Sequence, residues 1–495
     1  MSTIRSIELN HLTISAPILK VLPFDLMKRH LIIPFDLAQD RLCVAMSDPE
    51  NAAVLNHVTA LTGYEVDAFG ADPQTIDREL ERYFGSGEAR PCNLELEALA
   101  GQQESAIPKV VQRLFELALK HRASDVHFES QPNGVFVRFR VDGVLHTIHQ
   151  FPRTAAQQVL SRLKIMANMN IAEKRLPQDG QVGLKLEEKD IDLRISTMPA
   201  KYGEKMVVRV LQRSMHALEL SKLGMGSITQ TRFEALVERP QGLILVTGPT
   251  GSGKTTTLYS VISRIKSPLK NIITLEDPIE YELMAASPND AGITQIQVNP
   301  RIDFTFASAL RASLRQDPDV IMVGEIRDRE TAEVAMKASM TGHIVLSTLH
   351  TNDTAQTIGR LRDIGIEPYL IASTVTGVLA QRLLRLLCTN CKETYSPPMR
   401  ALKGLFPEFS EDKSISLCRP KGCHECQGTG YRDRIGIYEL LTMTEQISAL
   451  VHKNASVAEI KEFSEKQGLK SLRRSGLDLV YQGLTTLEEV FRHTV

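Results

Sequence analysis

The chain has 495 residues, 42% hydrophobic and 24% charged, the composition of a folded protein with room for about three domains. Its 58 Lys and Arg against 59 Asp and Glu leave a net charge of −1, which gives no basic surplus for a polyanion such as nucleic acid. No uncharged apolar run approaches the roughly 18–20 residues of a membrane-spanning helix, and no basic cap with an apolar stretch opens the chain, so neither a span nor a secretory signal is expected.

Residues 1–84 read as a small α/β docking domain. Leu31–Phe35 and Leu42–Met46 are strand-like, Asp48-Pro49 makes a turn, and helical stretches follow around Ala52–Thr62 and Pro73–Tyr83. The segment holds seven basic and twelve acidic residues, a net of −5, which favours a protein partner over nucleic acid or anionic lipid. Residues 85–104, opening Gly-Ser-Gly-Glu and carrying Pro91, read as a linker.

Residues 105–220 form a second α/β domain. Val110, Leu114, Leu117 and Ala118 recur at helical spacing, Val135–Val141 alternates like a strand, and Asp142-Gly143 marks a hairpin. Ile191–Ile195 and Met206–Leu211 are further strands, each carrying an arginine, Arg194 and Arg209. Residues 221–387 then switch to strand, glycine-rich loop, helix and strand. Residues 388–430 hold two CxxC pairs, and residues 431–495 read as a helical C-terminal region with a turn and helix start at Tyr481–Glu489.

Gly248-Pro249-Thr250-Gly251-Ser252-Gly253-Lys254-Thr255 fits GxxxxGK[ST] without mismatch, after the strand Leu243–Val246 and before a helix that begins with Thr256. Glycines let backbone N–H groups converge on phosphate oxygens, and the helix N-terminus adds positive dipole character. Lys254 is placed for the β/γ-phosphates of ATP and Thr255 for Mg²⁺. Two apolar runs end in acids: Ile272–Leu275 runs into Glu276, Asp277 and Glu280, and Val320–Val323 into Glu325. In a parallel sheet such strand ends gather at the phosphate loop, where a carboxylate can meet Mg²⁺ or the attacking water. His343 and His350 flank a third strand, Ile344–Leu349, and either could orient water, sense phosphate or be structural.

Cys388, Cys391, Cys423 and Cys426 form two CxxC pairs with 31 residues between them. Two thiolates from each suit one structural Zn²⁺; disulfides or idle thiols are the alternatives, and Cys418 and His424 are substitute ligands. Cys43 and Cys92 read as core or linker thiols.

Several long motifs now stand in one order. Arg122–Glu129, Arg138–Gly143 and Arg175–Gly180 precede the phosphate loop, and Leu314–Asp319 follows it and runs into Glu325-Ile326-Arg327-Asp328. Over about 105–495 the chain resembles the ATPases that power type II secretion and type IV pilus assembly. The resemblance implies an α/β fold: a RecA-like P-loop NTPase core with a PAS-like α/β domain before it, a small docking domain and a tetra-Cys zinc module. It implies a homo-hexamer whose sites are closed by the arginines matching Arg194 and Arg209. It gives Glu280 as the water-activating acid, Glu325 as the acid acting on Mg²⁺, and His343 and His350 as the histidine box; spacing alone does not divide the work of the two acids. It implies a peripheral protein on the cytoplasmic side of an inner membrane, docked on the cytoplasmic domain of a platform protein, without nucleic acid. Secretion is favoured over pilus extension because of the single small N-terminal domain, with no cyclic-di-GMP motif seen in it. A DNA-translocating ATPase and a nucleotide-gated scaffold without turnover are the competing classes. Residues 284–292 are longer than the family pattern before Gln295 and read as an inserted loop, and the two domains are expected to hinge at Ser221–Met225.

Overall fold

A computed structural model describes residues 41–84, 107–186, 189–212, 219–283, 292–396, 416–426 and 428–494, with parts of 6–38. The expected linker 85–104 and most of the expected insertion at 284–292 lie outside the described residues, as does Cys92.

The N-terminal region builds a three-stranded sheet from β1 (Ile32–Ala38), β2 (Arg41–Met46) and β3 (Glu65–Gly70), in the order β1-β2-β3. Helices α1 (Phe24–His30), α2 (Ala52–Thr62) and α3 (Pro73–Phe84) accompany it. Strand β3, with every residue partly or fully exposed, carries too weak an apolar pattern to be read from the sequence. Helix α2 rests against the far end of the chain, where the His57 ring lies 5.0 Å from that of Phe491.

The second unit is a six-stranded sheet of β4 (Asp125–Gln131), β5 (Gly134–Val141), β6 (Val144–Phe151), β7 (Gln178–Leu186), β8 (Lys189–Ala200) and β9 (Gly203–Gln212), in the order β6-β5-β4-β9-β8-β7. Every pairing in it is antiparallel. Alternation divides its faces. Val126, Phe128, Val137, Phe139, Leu193, Ile195 and Val208 point into a core with α4 (Ile107–Lys120) and α5 (Arg153–Met166). The intervening residues Asp125, Glu129, Arg138, Arg140, Arg194 and Arg209 therefore share the opposite face.

The third unit is a seven-stranded sheet, order β12-β11-β13-β14-β10-β15-β18. Its strands are β10 (Gly242–Thr247), β11 (Ile272–Glu276), β12 (Ile293–Gln297), β13 (Val320–Val323), β14 (Ile344–Leu349), β15 (Val375–Leu387) and β18 (Tyr431–Thr442). All neighbours are parallel except β15 and β18. Both faces are covered, as a parallel sheet requires. Leu243 and Leu245 of β10 face one layer of helices, which includes α8 (Phe306–Ser313) and α9 (Arg329–Met340); Ile244 and Val246 face the other, α6 (Ser227–Val237) and α7 (Lys254–Ile265).

Two expectations change here. Residues 431–442 are strand, not helix: β18 closes the sheet edge beside β15, and helices resume at Glu445. The expected hinge Ser221–Met225 is bound to the core, with Leu220, Leu223 and Met225 buried in it and the Tyr438 hydroxyl donating to the Leu223 carbonyl at 3.0 Å. Gly224 is required there, because its φ is +85° and a Cβ would stand 2.6 Å from Ile435.

The second and third units meet through reciprocal ion pairs. Arg122 pairs with Asp433, and Arg434 approaches Asp142 at 3.7 Å. Asp433 sits where the β15–β18 register slips between Arg385 and Leu387, and a bulge of this kind turns a side chain out of the ladder. Arg122, Asp142 and Asp433 all have positive φ, at 54°, 47° and 70°.

Candidate functional site

Strand β10 delivers the phosphate loop at its carboxyl end, and α7 begins at Lys254. The turn depends on glycine. Gly248, Gly251 and Gly253 have φ of 152°, 79° and 89°, and a Cβ on Gly248 would stand 2.6 Å from both the Gln381 carbonyl and Ser252 Oγ. Pro249 and Thr250 complete the loop on its exposed side, and Thr255 and Thr256 lie in the first turn of α7. Gln381 braces the loop from β15: its amide donates to the Ser252 carbonyl at 2.7 Å and accepts from the Thr257 hydroxyl at 2.8 Å. Nothing in the sequence marked Gln381, which lies in an apolar run.

The loop's chemistry fits a polyphosphate. Ser252 Oγ is buried without a protein partner. Lys254 Nζ donates to the carbonyls of Gly248 (2.9 Å) and Pro249 (3.0 Å). Burial lowers the Lys254 pKa to about 8, with Glu325 opposing the shift and Arg382 adding to it. A desolvated cation beside an unpartnered hydroxyl and a turn of glycine N–H groups is an anion cradle. The side chains that the sequence assigns to a divalent cation are Thr255, in the first turn of α7, and Glu325, which follows β13.

Glu325 follows β13, pairs with Arg327 and lies 3.7 Å from His350 Nε2. Burial and the Lys254 charge push the His350 pKa down, so its ring is neutral at pH 7. Lys254, Glu325 and His350 thus lie close together. His343 does not join them. It precedes β14, level with the start of β10, and seven residue steps at about 3.3 Å each put it about 23 Å from His350. Its Nδ1 is 2.9 Å from the Ala338 carbonyl at the end of α9, a structural contact within this chain.

Beyond β11, Glu280 faces the second unit. Arg194 Nη2 donates to the Ile279 carbonyl at 2.6 Å, and Arg194 Nη1 is 4.0 Å from Glu280 Oε2. Arg209 is held differently: its Nε donates to Asp125 at 3.1 Å within its own sheet. Burial and the charge of Glu280 raise the Tyr281 phenol pKa, while Arg194 and Arg209 act against that rise, so both arginines are felt at this strand end.

The four cysteines converge separately. Cys388, Cys391, Cys423 and Cys426 present sulfurs all within 4.8 Å of one another. Three of the gaps are 3.8 Å (Cys388–Cys423), 3.7 Å (Cys391–Cys426) and 3.7 Å (Cys423–Cys426). These exclude disulfides, and they match the edge of about 3.8 Å in a tetrahedron with Zn–S bonds of about 2.3 Å. Burial opposes ionisation of Cys426. Backbone N–H groups of Cys423 (3.1 Å) and Gly430 (3.2 Å), with neighbouring thiols, still bring its pKa down to about 7. Cys418 lies apart on β17 (Leu417–Arg419) and Cys43 on β2.

Comparison with known proteins places this geometry. Residues 100–492 match the model of the type II/IV secretion system protein family, and residues 3–90 match that of the MshEN domain. The chain is 42% identical over 494 residues to the type IV pilus assembly ATPase PilB of Thermus thermophilus, covering 97% of this chain and 55% of that one. It is 46% identical over 421 residues to the type II secretion system ATPase E of Vibrio cholerae, covering 85% of this chain and 81% of that one. Thus the chain spans about half the length of the first relative and most of the second. Among solved structures, the pilus retraction motor PilT with bound ADP aligns over 77% of this chain and 96% of its own, at 28% identity and a TM-score of 0.52.

Proposed function

This chain belongs to the type II/IV secretion system protein family, and on that premise we propose that it is an ATP hydrolase powering pseudopilus assembly for type II protein secretion. The single observation that carries the activity is the convergence of Lys254, Glu325 and His350 on a glycine loop with an unpartnered buried hydroxyl. Lys254 and the loop N–H groups bind the β- and γ-phosphates. Thr255 and, through water, Glu325 would hold Mg²⁺, which when bound would neutralise charge on the phosphates. Glu280 orients the attacking water and takes its proton. Arg194 steadies the Glu280 turn. Arg209, once released from Asp125, closes on the γ-phosphate as its guanidinium geometry suits. Cys388, Cys391, Cys423 and Cys426 hold a structural Zn²⁺, since four protein ligands leave no open position.

The working form is a homo-hexamer in the cytoplasm, attached to the inner membrane through the cytoplasmic domain of a platform protein. No described helix is long and apolar enough to cross a membrane. One observation favours the second reading, pilus extension: similarity to the pilus assembly relative runs over 97% of the chain, against 85% for the secretion relative. The test is Mg²⁺-dependent ATPase activity of the sized, full-length chain with candidate platform domains of each system, or with DNA. Stimulation by the secretion domain with ring formation supports the proposal, stimulation by the pilus domain selects the second reading, and stimulation by DNA alone rejects both.

A further inference from the structure

The turn that carries Glu280 is held by side chains outside the phosphate-binding set. Gln295, on the edge strand β12, uses its amide as a strand would use its backbone. Its Oε1 accepts from Leu283 N at 2.6 Å, and its Nε2 donates to the Tyr281 carbonyl at 3.0 Å. The same Nε2 lies 3.1 Å from Glu276 Oε1, which also accepts from the Thr274 hydroxyl at 2.6 Å. The other Glu276 oxygen accepts from the Tyr259 hydroxyl. Glu276 is only 3% exposed, so a carboxylate is enclosed with three side-chain donors, one of which grips the segment just after Glu280.

This arrangement is more than a polar core needs. A buried carboxylate is costly unless fully hydrogen-bonded, and an apolar residue at position 276 would remove the demand. Here the carboxylate fixes the amide orientation of Gln295: with Nε2 committed to Glu276 and Tyr281, Oε1 faces Leu283 N. Tyr259 connects the network to α7, the helix that begins with Lys254. One hydrogen-bonded chain therefore runs from the phosphate-loop helix through Tyr259, Glu276 and Gln295 to the Glu280 turn.

We propose that Gln295, oriented by Glu276 and Tyr259, is a positioning residue that holds Glu280 in register with the phosphate loop. The inference rests on the reading that Glu280 activates water. A small displacement of such a group lowers the chemical step by about 10²-fold without weakening ground-state binding.

The experiment compares Gln295→Leu, Glu280→Gln and the double variant in the full-length chain. It measures kcat, KM for ATP, fluorescent-nucleotide affinity and thermal unfolding. The expected result for Gln295→Leu is a fall in kcat of about tenfold or more, with nucleotide affinity within about twofold of the parent. Because Gln295 acts only through Glu280, adding Gln295→Leu to Glu280→Gln should lower kcat no further, which a merely structural residue would not obey. If Gln295→Leu does not fold, Tyr259→Phe carries the test, with the same signature at a few-fold size. Parent-like kcat in a folded Gln295→Leu protein, or full additivity in the double variant, overturns the proposal. A Glu280→Gln protein that turns over like the parent instead removes the reading beneath it.

Discussion

The two halves of the candidate site are built on opposite plans. The half on the seven-stranded sheet is fixed mainly by side-chain hydrogen bonds to backbone: the buried Gln381 braces the phosphate loop and the half-buried Gln295 grips the Glu280 turn, while Glu325 lies among the exposed Arg327 and His350 and the half-buried Lys254. The half on the six-stranded sheet is held by exchangeable charge contacts. Arg209 is paired with Asp125, Arg194 bridges to Glu280, and the two units meet through Arg122–Asp433 and Arg434–Asp142. An exposed ion pair such as Arg122–Asp433 contributes only about 0–1 kcal/mol and can be remade at small cost. A rigid half suits charge that must be placed before reaction. An exchangeable half suits arginines that must engage and release.

The largest effect that could break this contrast belongs to Lys254→Ala. It should abolish turnover and weaken nucleotide binding by at least about tenfold in a titration, because the loop loses the ammonium placed for the phosphates; near-parent affinity would mean the rigid half is not the binding half. Arg194→Ala should lower kcat by about 10²-fold while leaving nucleotide affinity within a few-fold, since Arg194 touches the Glu280 turn and not the loop. A loss of affinity instead would erase the distinction between the halves.

Chelation should sharpen it from outside. Stripping metal from the four cysteines, or Cys391→Ser, should lower Tm by about 5–10 °C and leave nucleotide affinity near the parent value, because the thiol cluster sits beyond the ends of β15 and β18 and supplies no group to the phosphate loop. Scanning calorimetry beside nucleotide titration reads both. The smallest effect is in pH. Burial lowers the Lys254 pKa from 10.5 to about 8, so the free protein loses this proton as pH rises through 8 while the unfolded chain keeps it. Stability therefore rises with pH in that window. Phosphate prefers the protonated amine, so nucleotide affinity falls over the same range, and a Kd series from pH 7 to 9.5 should show it.

Much of the rigid half was legible in the sequence because its elements are local. The phosphate loop is a contiguous motif whose glycines each answer a backbone need, and β10, β11, β13 and β14 are short, mainly apolar runs. The cysteines were legible because CxxC spacing is set by ligand geometry. What escaped depends on contacts distant in the chain. Gln381 is 129 residues from Ser252, and Gln295 is 19 from Glu276, so neither announces its partner. His343 resembles His350 in sequence, yet one strand carries them to opposite ends of the sheet. Strand β18 lies in a region whose sequence reads as helical, because Tyr431–Thr442 has three charged residues in a row after Tyr431 and shows no polar–apolar alternation; what makes it strand is the open edge of β15.

The central claim, that Glu280 performs the chemistry while the loop performs the binding, is tested most directly by ATP hydrolysis and ATP binding in the parent and Glu280→Gln proteins under the same Mg²⁺ conditions. The account predicts that Glu280→Gln lowers kcat by about 10²-fold or more and keeps nucleotide affinity within a few-fold of the parent. Parent-like hydrolysis by Glu280→Gln, or a loss of binding equal to the loss of turnover, would contradict it.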